Sequence, residues 1–209
     1  MKAEVPEYAV EDEIYVDPAK TALVVIDMQN DFVKQGGSLL VPEAEATVPA
    51  IKGLLDLARA GRMRVVYSQD THCQGDPEWE IWPEHCREGS WGWEIVAELA
   101  PGADDTVLPK FHYDAFYNTP LDHLLRGWGV DTLVLCGTVA NISVQYTAAS
   151  AALRRYNVVI PRDAISALEP FDLEASLRQA ALVFAGRLTT ANGLSVRCRR
   201  GPSPTLRGP

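Results

Sequence analysis

The chain has 209 residues, of which 47% are hydrophobic, so it is long enough to fold as one domain around a sizeable core. Its formal net charge of -9 argues against nucleic acid or an anionic membrane as a main partner. No apolar run approaches the roughly 18 residues of a membrane span, and the acidic N-terminus lacks the apolar core of a signal peptide. The sequence therefore predicts a cytoplasmic protein whose four cysteines are free thiols.

Apolar strands and amphipathic helices alternate along the chain. Continuous apolar runs predict buried strands at Thr21–Asp27, Met63–Asp70, Asp105–Lys110, Asp131–Gly137 and 157–164, with a further strand at 187–192. Helical spacing predicts helices at Val48–Arg62, Ile142–Arg155 and Asp172–Ala185. This order predicts an α/β fold with three αβα layers around a central, mainly parallel, doubly wound sheet. One domain is expected over residues 1–195, followed by a Pro/Gly/Arg-rich tail at 196–209 that is expected to be disordered.

Three predicted strands end in the polar residues Asp27, Asp70 and Lys110, and a fourth leads into the segment GTVANIS, residues 137–143. Ligands of parallel sheets bind at the carboxyl ends of the strands, so these residues predict a functional cleft. Taken singly, Asp27 could bond its own loop, Lys110 could be a solvated lysine, and Ser143 could be a helix N-cap. Together they indicate a nucleophile, because a lysine beside Asp27 keeps that aspartate ionised and can lower the pKa of a third group.

Five segments, in this order, resemble the cysteine hydrolase family of nicotinamidases and isochorismatase-like proteins over Thr21–Asn192: VVIDMQNDF, SQDTH, WPEHC, a lysine before an aromatic-rich stretch, and GTVANISVQYTA. The resemblance implies a catalytic triad formed by Asp27, Lys110 and the residue at position 143. It also implies an oxyanion hole made by the backbone N–H groups of Val139 and Ser143, and a cis peptide bond before Val139. The fold that it implies is the three-layer fold predicted above.

Position 143 departs from this family, because serine stands where the family has its cysteine nucleophile. A thiol is already slightly ionised at neutral pH, whereas a hydroxyl needs a strong general base. Asp27 is a weak base for a hydroxyl and no histidine adjoins Ser143, so we predict little or no amidase turnover by this chain. We interpret Ser143 as a deliberate Cys→Ser change that lets substrate bind without reacting, with a natural serine variant as the alternative.

The resemblance also implies a metal site beside the long irregular segment Thr71–Trp93. Asp70, His72 and His85 match the D-x-H and W-P-x-H-C elements that bind a divalent ion, commonly zinc, in nicotinamidases, and this donor set suits zinc, manganese or iron. A further histidine is usual in the family, but the stretch CQGDPEWEI at residues 73–81 offers only the acidic residues Asp76, Glu78 and Glu80. A metal-free relative, in which the histidines only form hydrogen bonds, is the alternative. No organic cofactor is expected.

Aromatic residues are expected to shape the substrate pocket. Phe32 and Trp82 match family positions that sandwich a planar substrate, while Tyr113 and Phe116 follow Lys110 and are expected at the rim. The resemblance implies hydrolysis of a small primary amide to a carboxylate and ammonia, with nicotinamide as first choice and an N-carbamoyl or ureido compound as second. The motifs leave open vinyl ether hydrolysis of the isochorismatase type and ligand binding without catalysis. The family often forms oligomers, so a homodimer or homotetramer is expected.

Overall fold

The structure, a computed structural model, describes residues 4–197. Within this range the strands are Ile14–Val16 (β1), Thr21–Ile26 (β2), Arg64–Asp70 (β3), Thr106–Lys110 (β4), Thr132–Thr138 (β5), Asn157–Pro161 (β6), Ile165–Ser166 (β7), Arg187–Thr189 (β8) and Leu194–Val196 (β9). The α helices are Asn30–Val33 (α1), Ala44–Ala60 (α2), Leu121–Gly127 (α3), Gln145–Leu153 (α4) and Pro170–Val183 (α5). Residues 198–209, which hold most of the tail predicted to be disordered, lie outside the described range.

A seven-stranded sheet forms the centre of the fold. Six of its strands lie in the order β4-β3-β2-β5-β6-β8, the short β7 pairs with β5, and all these pairings are parallel. The chain moves outward from β2 in one direction and outward from β5 in the other, so the sheet is doubly wound. The predicted α/β fold, with helices flanking a central parallel sheet, is confirmed.

Burial explains why these segments form regular elements. All six residues of β2 and all but the first residue of β3 are buried, as expected for strands covered on both faces. Helix α2 turns its buried residues, among them Ile51 and Leu54, towards these strands. It begins at Ala44, about one turn before the predicted start, because the buried positions continue to that residue. None of the helices in the described range is long and apolar enough to cross a membrane.

Several short elements of the fold were not predicted from the sequence, including β1, β9 and α3. Strands β1 and β9 pair in parallel as a separate two-stranded sheet with three residue pairs. Helix α3 has seven residues. Elements this short hold too few apolar positions for a helical or strand period to be recognised.

The reversal of strand order between β2 and β5 positions the candidate site. Connections leave these two neighbours in opposite directions, which opens a crevice at the carboxyl ends of the strands. Asp27 directly follows β2, Asp70 and Lys110 are the last residues of β3 and β4, and Thr138 ends β5. Four strand ends therefore bring their polar residues to one edge of the sheet.

Candidate active site

A buried lysine joins two aspartates at this edge. Lys110 Nζ lies 2.8 Å from Asp27 Oδ2 and 2.8 Å from Asp70 Oδ1, and none of the three side chains is more than 5% exposed. The register of the sheet produces the contact, because Asp70 and Lys110 are paired positions of β3 and β4. Charges this deeply buried are tolerated only when they are paired and hydrogen-bonded. The structure thus brings Asp27 and Lys110 together and adds Asp70 as a second carboxylate.

The two aspartates differ in the pH range over which they ionise. Burial raises the pKa of Asp27 to about 6, although Lys110 and a hydrogen bond from Ser143 act to lower it. Burial would also raise the pKa of Asp70, but Lys110 and two neighbouring imidazoles outweigh burial and hold this pKa well below its usual range. Burial would lower the pKa of Lys110, yet the two carboxylates raise it above its usual range. Asp27 is therefore the member of the cluster suited to accept and return a proton near neutral pH.

The backbone is shaped for a close approach of β2 and β5. Asp27 has a φ of 52°, a left-handed conformation that costs a non-glycine residue about 1 kcal/mol or more and is common at functional sites. Gly137 has a φ of 117°, and a Cβ there would lie 2.0 Å from the carbonyl oxygen of Ile26. Only glycine fits this contact. As a result, Asp27 and Ser143, which follow the two strands, line the same pocket.

Ser143 lies in a π-helical turn, Ala140–Val144, that connects β5 to α4, and it is 5% exposed. Val139 occupies the N-cap position of this turn, so the structure does not support the alternative that Ser143 serves as a helix N-cap. The Ser143 side chain instead lines the same cavity as Asp27 and helps to lower the pKa of that carboxyl. The Thr138–Val139 peptide bond is cis, at the position where the sequence resemblance implies such a bond. Single π-helical turns of this kind are frequent at functional sites.

Asp70, His72 and His85 form a compact group of buried potential ligands whose donor atoms all lie within 4.8 Å of one another. The Nε2 atoms of His72 and His85 lie 3.0 Å and 3.4 Å from the same oxygen, Asp70 Oδ2. Their other ring nitrogens face oxygen acceptors, because Nδ1 of His72 lies 2.9 Å from Asp76 and Nδ1 of His85 lies 2.7 Å from the carbonyl of Pro83. This places a proton on Nδ1 and leaves the Nε2 lone pairs for a metal ion, as in metal-binding histidines generally.

The spacing of this donor set fits zinc. Ligand atoms around a tetrahedral zinc ion with bonds of about 2.0–2.1 Å lie about 3.3 Å apart, close to the two separations from Asp70 Oδ2. Glu78 is the acidic loop residue nearest to this centre, with Oε1 4.0 Å from Nε2 of His85. Asp76 has a different position, since its carboxylate contacts Nδ1 of His72 and not Nε2, the nitrogen that faces Asp70. The residues present therefore fit a divalent ion held by Asp70 and the two histidines.

The long loop Thr71–Trp93 is ordered by hydrogen bonds from its aromatic side chains. Its ends are joined by Trp93, whose indole N–H donates to the Thr71 hydroxyl. The indole N–H of Trp79 donates a hydrogen bond within the loop, to the carbonyl of His85. The indole N–H of Trp82 donates a hydrogen bond to a residue outside the loop, the hydroxyl of Tyr113. Both cysteines of this loop are free thiols, as predicted. The side chains that reach the metal-ligand group are thus held in a fixed frame.

Two buried residues of the DMQND segment, Gln29 and Asp31, anchor this loop, a role that was not predicted from the sequence. The side-chain amide of Gln29 donates to the carbonyl of Asp70 and accepts from its N–H, both at 2.8 Å. Asp31 Oδ2 accepts the N–H of Cys86, next to His85, at 2.7 Å. Gln29 and Asp31 therefore orient the backbone on both sides of the metal-ligand group. The sequence pattern that could have indicated this role is the presence of Gln29 and Asp31 soon after the apolar strand β2.

A cavity connects these groups. Its walls combine Asp27 and Ser143 of the candidate triad, and Asp70 and His85 of the candidate metal ligands, with apolar and aromatic side chains. The lining residues are Asp27, Phe32, Leu39, Val41, Asp70, Glu78, Trp82, His85, Tyr113, Thr138, Val139, Ile142, Ser143 and Leu168. The structure thus brings Phe32, Trp82 and Tyr113 to the cavity.

Phe116, which was expected at the rim, does not line this cavity. Its side chain is buried, with its ring centroid 5.9 Å from that of Tyr156 and 4.9 Å from the guanidinium carbon of Arg154. The residue before it, Ala115, is held against α4, because its N–H donates to the hydroxyl of Thr147 in that helix. The expected role of Phe116 is therefore replaced by a packing role in the core.

Comparisons with known proteins agree with this geometry. The isochorismatase domain family matches residues 21–192. Ureidoacrylate amidohydrolase RutB of Serratia proteamaculans is 34% identical in an alignment of 187 residues, and the match covers 77% of this chain and 75% of that protein. N-carbamoylsarcosine amidase of Thermoplasma acidophilum, a solved structure, is 38% identical with a TM-score of 0.77, over 83% of this chain and 97% of that chain.

A second solved structure, pyrazinamidase of Pyrococcus horikoshii in complex with zinc, is 27% identical with a TM-score of 0.74 and covers 86% of this chain and 99% of that chain. These matches confirm the resemblance seen in the sequence motifs. The family match spans most of the chain and contains Asp27, Lys110 and Ser143. The chain belongs to the isochorismatase family.

Proposed function

We propose that this site hydrolyses a small primary amide to a carboxylate and ammonia, with Asp27, Lys110 and the residue at position 143 as the triad. The observation that carries the proposal is the buried Asp27–Lys110–Asp70 cluster with Ser143 beside Asp27 on one cavity. A carboxylate with a pKa near neutrality can take a proton from a nucleophile and return it to a leaving group. The amidohydrolase names of similar proteins support the same class of reaction.

The proposed steps apply to a form with cysteine at position 143. Asp27 takes the thiol proton, Lys110 supports the thiolate by its charge, and the sulfur attacks the amide carbon. The N–H groups of Val139 and residue 143 hold the oxyanion. As the C–N bond breaks, Asp27 returns the proton to the departing ammonia. Water then gives a proton to Asp27 and cleaves the thioester, which releases the carboxylate and restores the thiol. In this chain Ser143 Oγ stands where sulfur would be, so we expect substrate binding with little or no turnover.

The activity of a Ser143→Cys variant is expected to fall as the pH drops through about 6. Burial raises the pKa of Asp27 to about 6, and only the ionised carboxylate can accept the thiol proton. Below that pH, kcat/KM for ammonia release should fall about tenfold per pH unit. Circular dichroism at each pH controls for unfolding. A profile that stays flat down to about pH 5 would contradict the assignment of Asp27 as the base.

We also propose that Asp70, His72 and His85 hold a divalent ion, zinc in the first instance, and that no organic cofactor is used. The donor spacing and the zinc complex of the Pyrococcus horikoshii pyrazinamidase support this proposal. When bound, such an ion would act as a Lewis acid that polarises or orients a polar group of the substrate. Asp76 and the carbonyl of Pro83 would orient the two histidine ligands from outside.

The substitution His85→Ala is expected to weaken zinc binding by at least about a hundredfold, because loss of a direct ligand costs more than loss of an outer-shell partner. Zinc content after dialysis and competition with a chelator measure this effect. His112→Ala is a matched control, since His112 is exposed and lies outside the cavity lining. Asp70 and Asp76 outweigh burial and raise the pKa of His72 to about 9, so zinc affinity should also fall with falling pH. Equal zinc content in all forms would contradict the assigned site.

Nicotinamide is the first candidate substrate, because the aromatic side chains of Phe32 and Trp82 suit a planar ring. An N-carbamoyl or ureido compound is the second candidate, favoured by the names of the two similar amidohydrolases. Ammonia release from a panel of both kinds by Ser143→Cys tests the proposed function. Pyruvate release from a vinyl ether would instead indicate hydrolysis of the isochorismatase type, and tight binding with no chemistry would indicate a binding protein. A homodimer or homotetramer and a cytoplasmic location stay predictions.

A further inference from the structure

A hydrogen bond between two residues of the cavity wall has a direction that their chemistry fixes. The indole N–H of Trp82 donates to the hydroxyl oxygen of Tyr113 at 3.0 Å, and both side chains line the cavity. An indole nitrogen can only donate, so the oxygen of Tyr113 must accept. A phenolic hydroxyl that accepts one hydrogen bond keeps its own hydrogen for a second partner. Within residues 4–197, no acceptor takes that hydrogen.

Two contacts hold the Tyr113 side chain in place. Besides the bond from Trp82, the ring of Tyr113 lies 5.9 Å, centroid to centroid, from the ring of Tyr146 in α4. Trp82 is itself held, because its backbone N–H donates to the carbonyl of Glu78 at 3.1 Å. The Tyr113 hydroxyl therefore has a defined position on the wall before any ligand binds, which reduces the entropy lost when a ligand uses it.

The other hydroxyl and indole donors of the cavity wall already have a partner or a proposed role. The Thr138 hydroxyl donates to the carbonyl of Ser166 at 3.4 Å, and the indole N–H of Trp82 is used by Tyr113. Ser143 occupies the position of the proposed nucleophile. Among the hydroxyl and indole groups that the described residues bring to the cavity, Tyr113 is thus the one whose hydrogen is available to a ligand outside the reacting centre.

We propose that the Tyr113 hydroxyl is a specificity-determining donor, which hydrogen-bonds to an acceptor atom of the bound amide other than the carboxamide oxygen. The inference rests on the proposed function, in which the backbone N–H groups of Val139 and residue 143 hold the carboxamide oxygen, and it narrows the substrate class. It favours amides with a further acceptor, such as a ring nitrogen or a second carbonyl, over apolar amides such as benzamide. One neutral hydrogen bond of this kind should tighten binding by about threefold to tenfold.

Binding of matched amides to the unaltered chain tests this inference without requiring any chemistry. The compounds 3-acetylbenzamide and 3-isopropenylbenzamide have nearly the same shape, but only the ketone has a second carbonyl acceptor. The corresponding 4-substituted pair places the same groups at the next ring position. Isothermal titration calorimetry should give a Kd for the ketone about threefold to tenfold below that of the alkene in at least one of the pairs.

The variant Tyr113→Phe keeps the ring and removes only the hydroxyl. It should bring the ratio of the two Kd values to within about twofold of unity, by weakening the binding of the ketone. Tyr117→Phe is the matched control, because Tyr117 follows in the same segment but is 55% exposed and lies outside the cavity lining. It should leave the ratio unchanged. Circular dichroism of both variants checks that they fold.

Four outcomes would overturn the inference: equal binding of ketone and alkene in both pairs, a ratio that survives Tyr113→Phe, a ratio that Tyr117→Phe lowers as much, or no binding of any of these amides. A surviving ratio would mean that another group, such as a metal ion, holds the acceptor. A surviving ratio with equal losses of ketone and alkene would mean that the Tyr113 hydroxyl only holds Trp82 in place. Failure of the proposed function has a different signature, since Ser143→Cys would then release no ammonia even from an amide that the chain binds.

Discussion

Ser143→Cys is expected to raise the rate of ammonia release from a bound primary amide by at least about a thousandfold, since loss of a catalytic nucleophile can cost up to about a millionfold in kcat. The backbone around position 143 is already shaped for a buried nucleophile beside Asp27. We expect the ionisation of the attacking atom to limit the present chain, because a hydroxyl loses its proton far less readily than a thiol. Single-turnover assays with nicotinamide and an N-carbamoyl amide measure the change.

Ser143→Ala provides the baseline for this experiment, because it keeps the cavity and removes the attacking atom. The unaltered chain should be as slow as Ser143→Ala and should still bind the amide. Turnover by the unaltered chain well above that baseline would instead support a natural serine nucleophile. If Ser143→Cys is no faster than Ser143→Ala with any amide, the proposed amidase function is wrong.

Lys110→Met is expected to destabilise the fold by about 3–5 kcal/mol at neutral pH, the cost of leaving buried charge uncompensated. Methionine fills a similar volume but leaves the carboxylates of Asp27 and Asp70 without their cation, with each at most 5% exposed. Without the cation, burial should raise the pKa of the Asp27 carboxyl in the folded state further above that in the unfolded chain. Folded protein would then bind protons more readily, so stability should fall as the pH rises through that window. Urea unfolding at about pH 5 and about pH 8 tests both expectations.

Lys34→Met is a matched control for this experiment. Lys34 also contacts two carboxylates, Glu45 at 2.8 Å and Glu98 at 2.6 Å, but these partners are 58% and 47% exposed. Surface pairs of this kind contribute about 0–1 kcal/mol, so this variant should unfold almost like the unaltered chain. The double variant Lys110→Met with Asp27→Asn should recover part of the lost stability. Equal effects of the two lysine substitutions would contradict the assigned role of burial.

The sequence by itself determined the fold class and predicted most residues of the candidate site. Strands covered on both faces appear in it as continuous apolar runs, and the rule that ligands bind at the carboxyl ends of parallel strands pointed to Asp27, Asp70 and Lys110. The spacing of the motifs was enough to predict the family, which the family match confirms. These inferences succeed because each depends on residues close together in the chain or on a general property of parallel sheets.

Only the tertiary structure decided which side chains share a surface. Phe116 lies three residues beyond Tyr113, yet it packs in the core because α4 draws the segment inwards at Ala115. Of the five acidic residues in the loop Thr71–Trp93, only Glu78 lines the cavity. The direction of an irregular loop depends on hydrogen bonds with distant residues, such as that between Asp31 and the N–H of Cys86. Contacts of this kind join positions far apart in the chain, so no local pattern in the sequence encodes them.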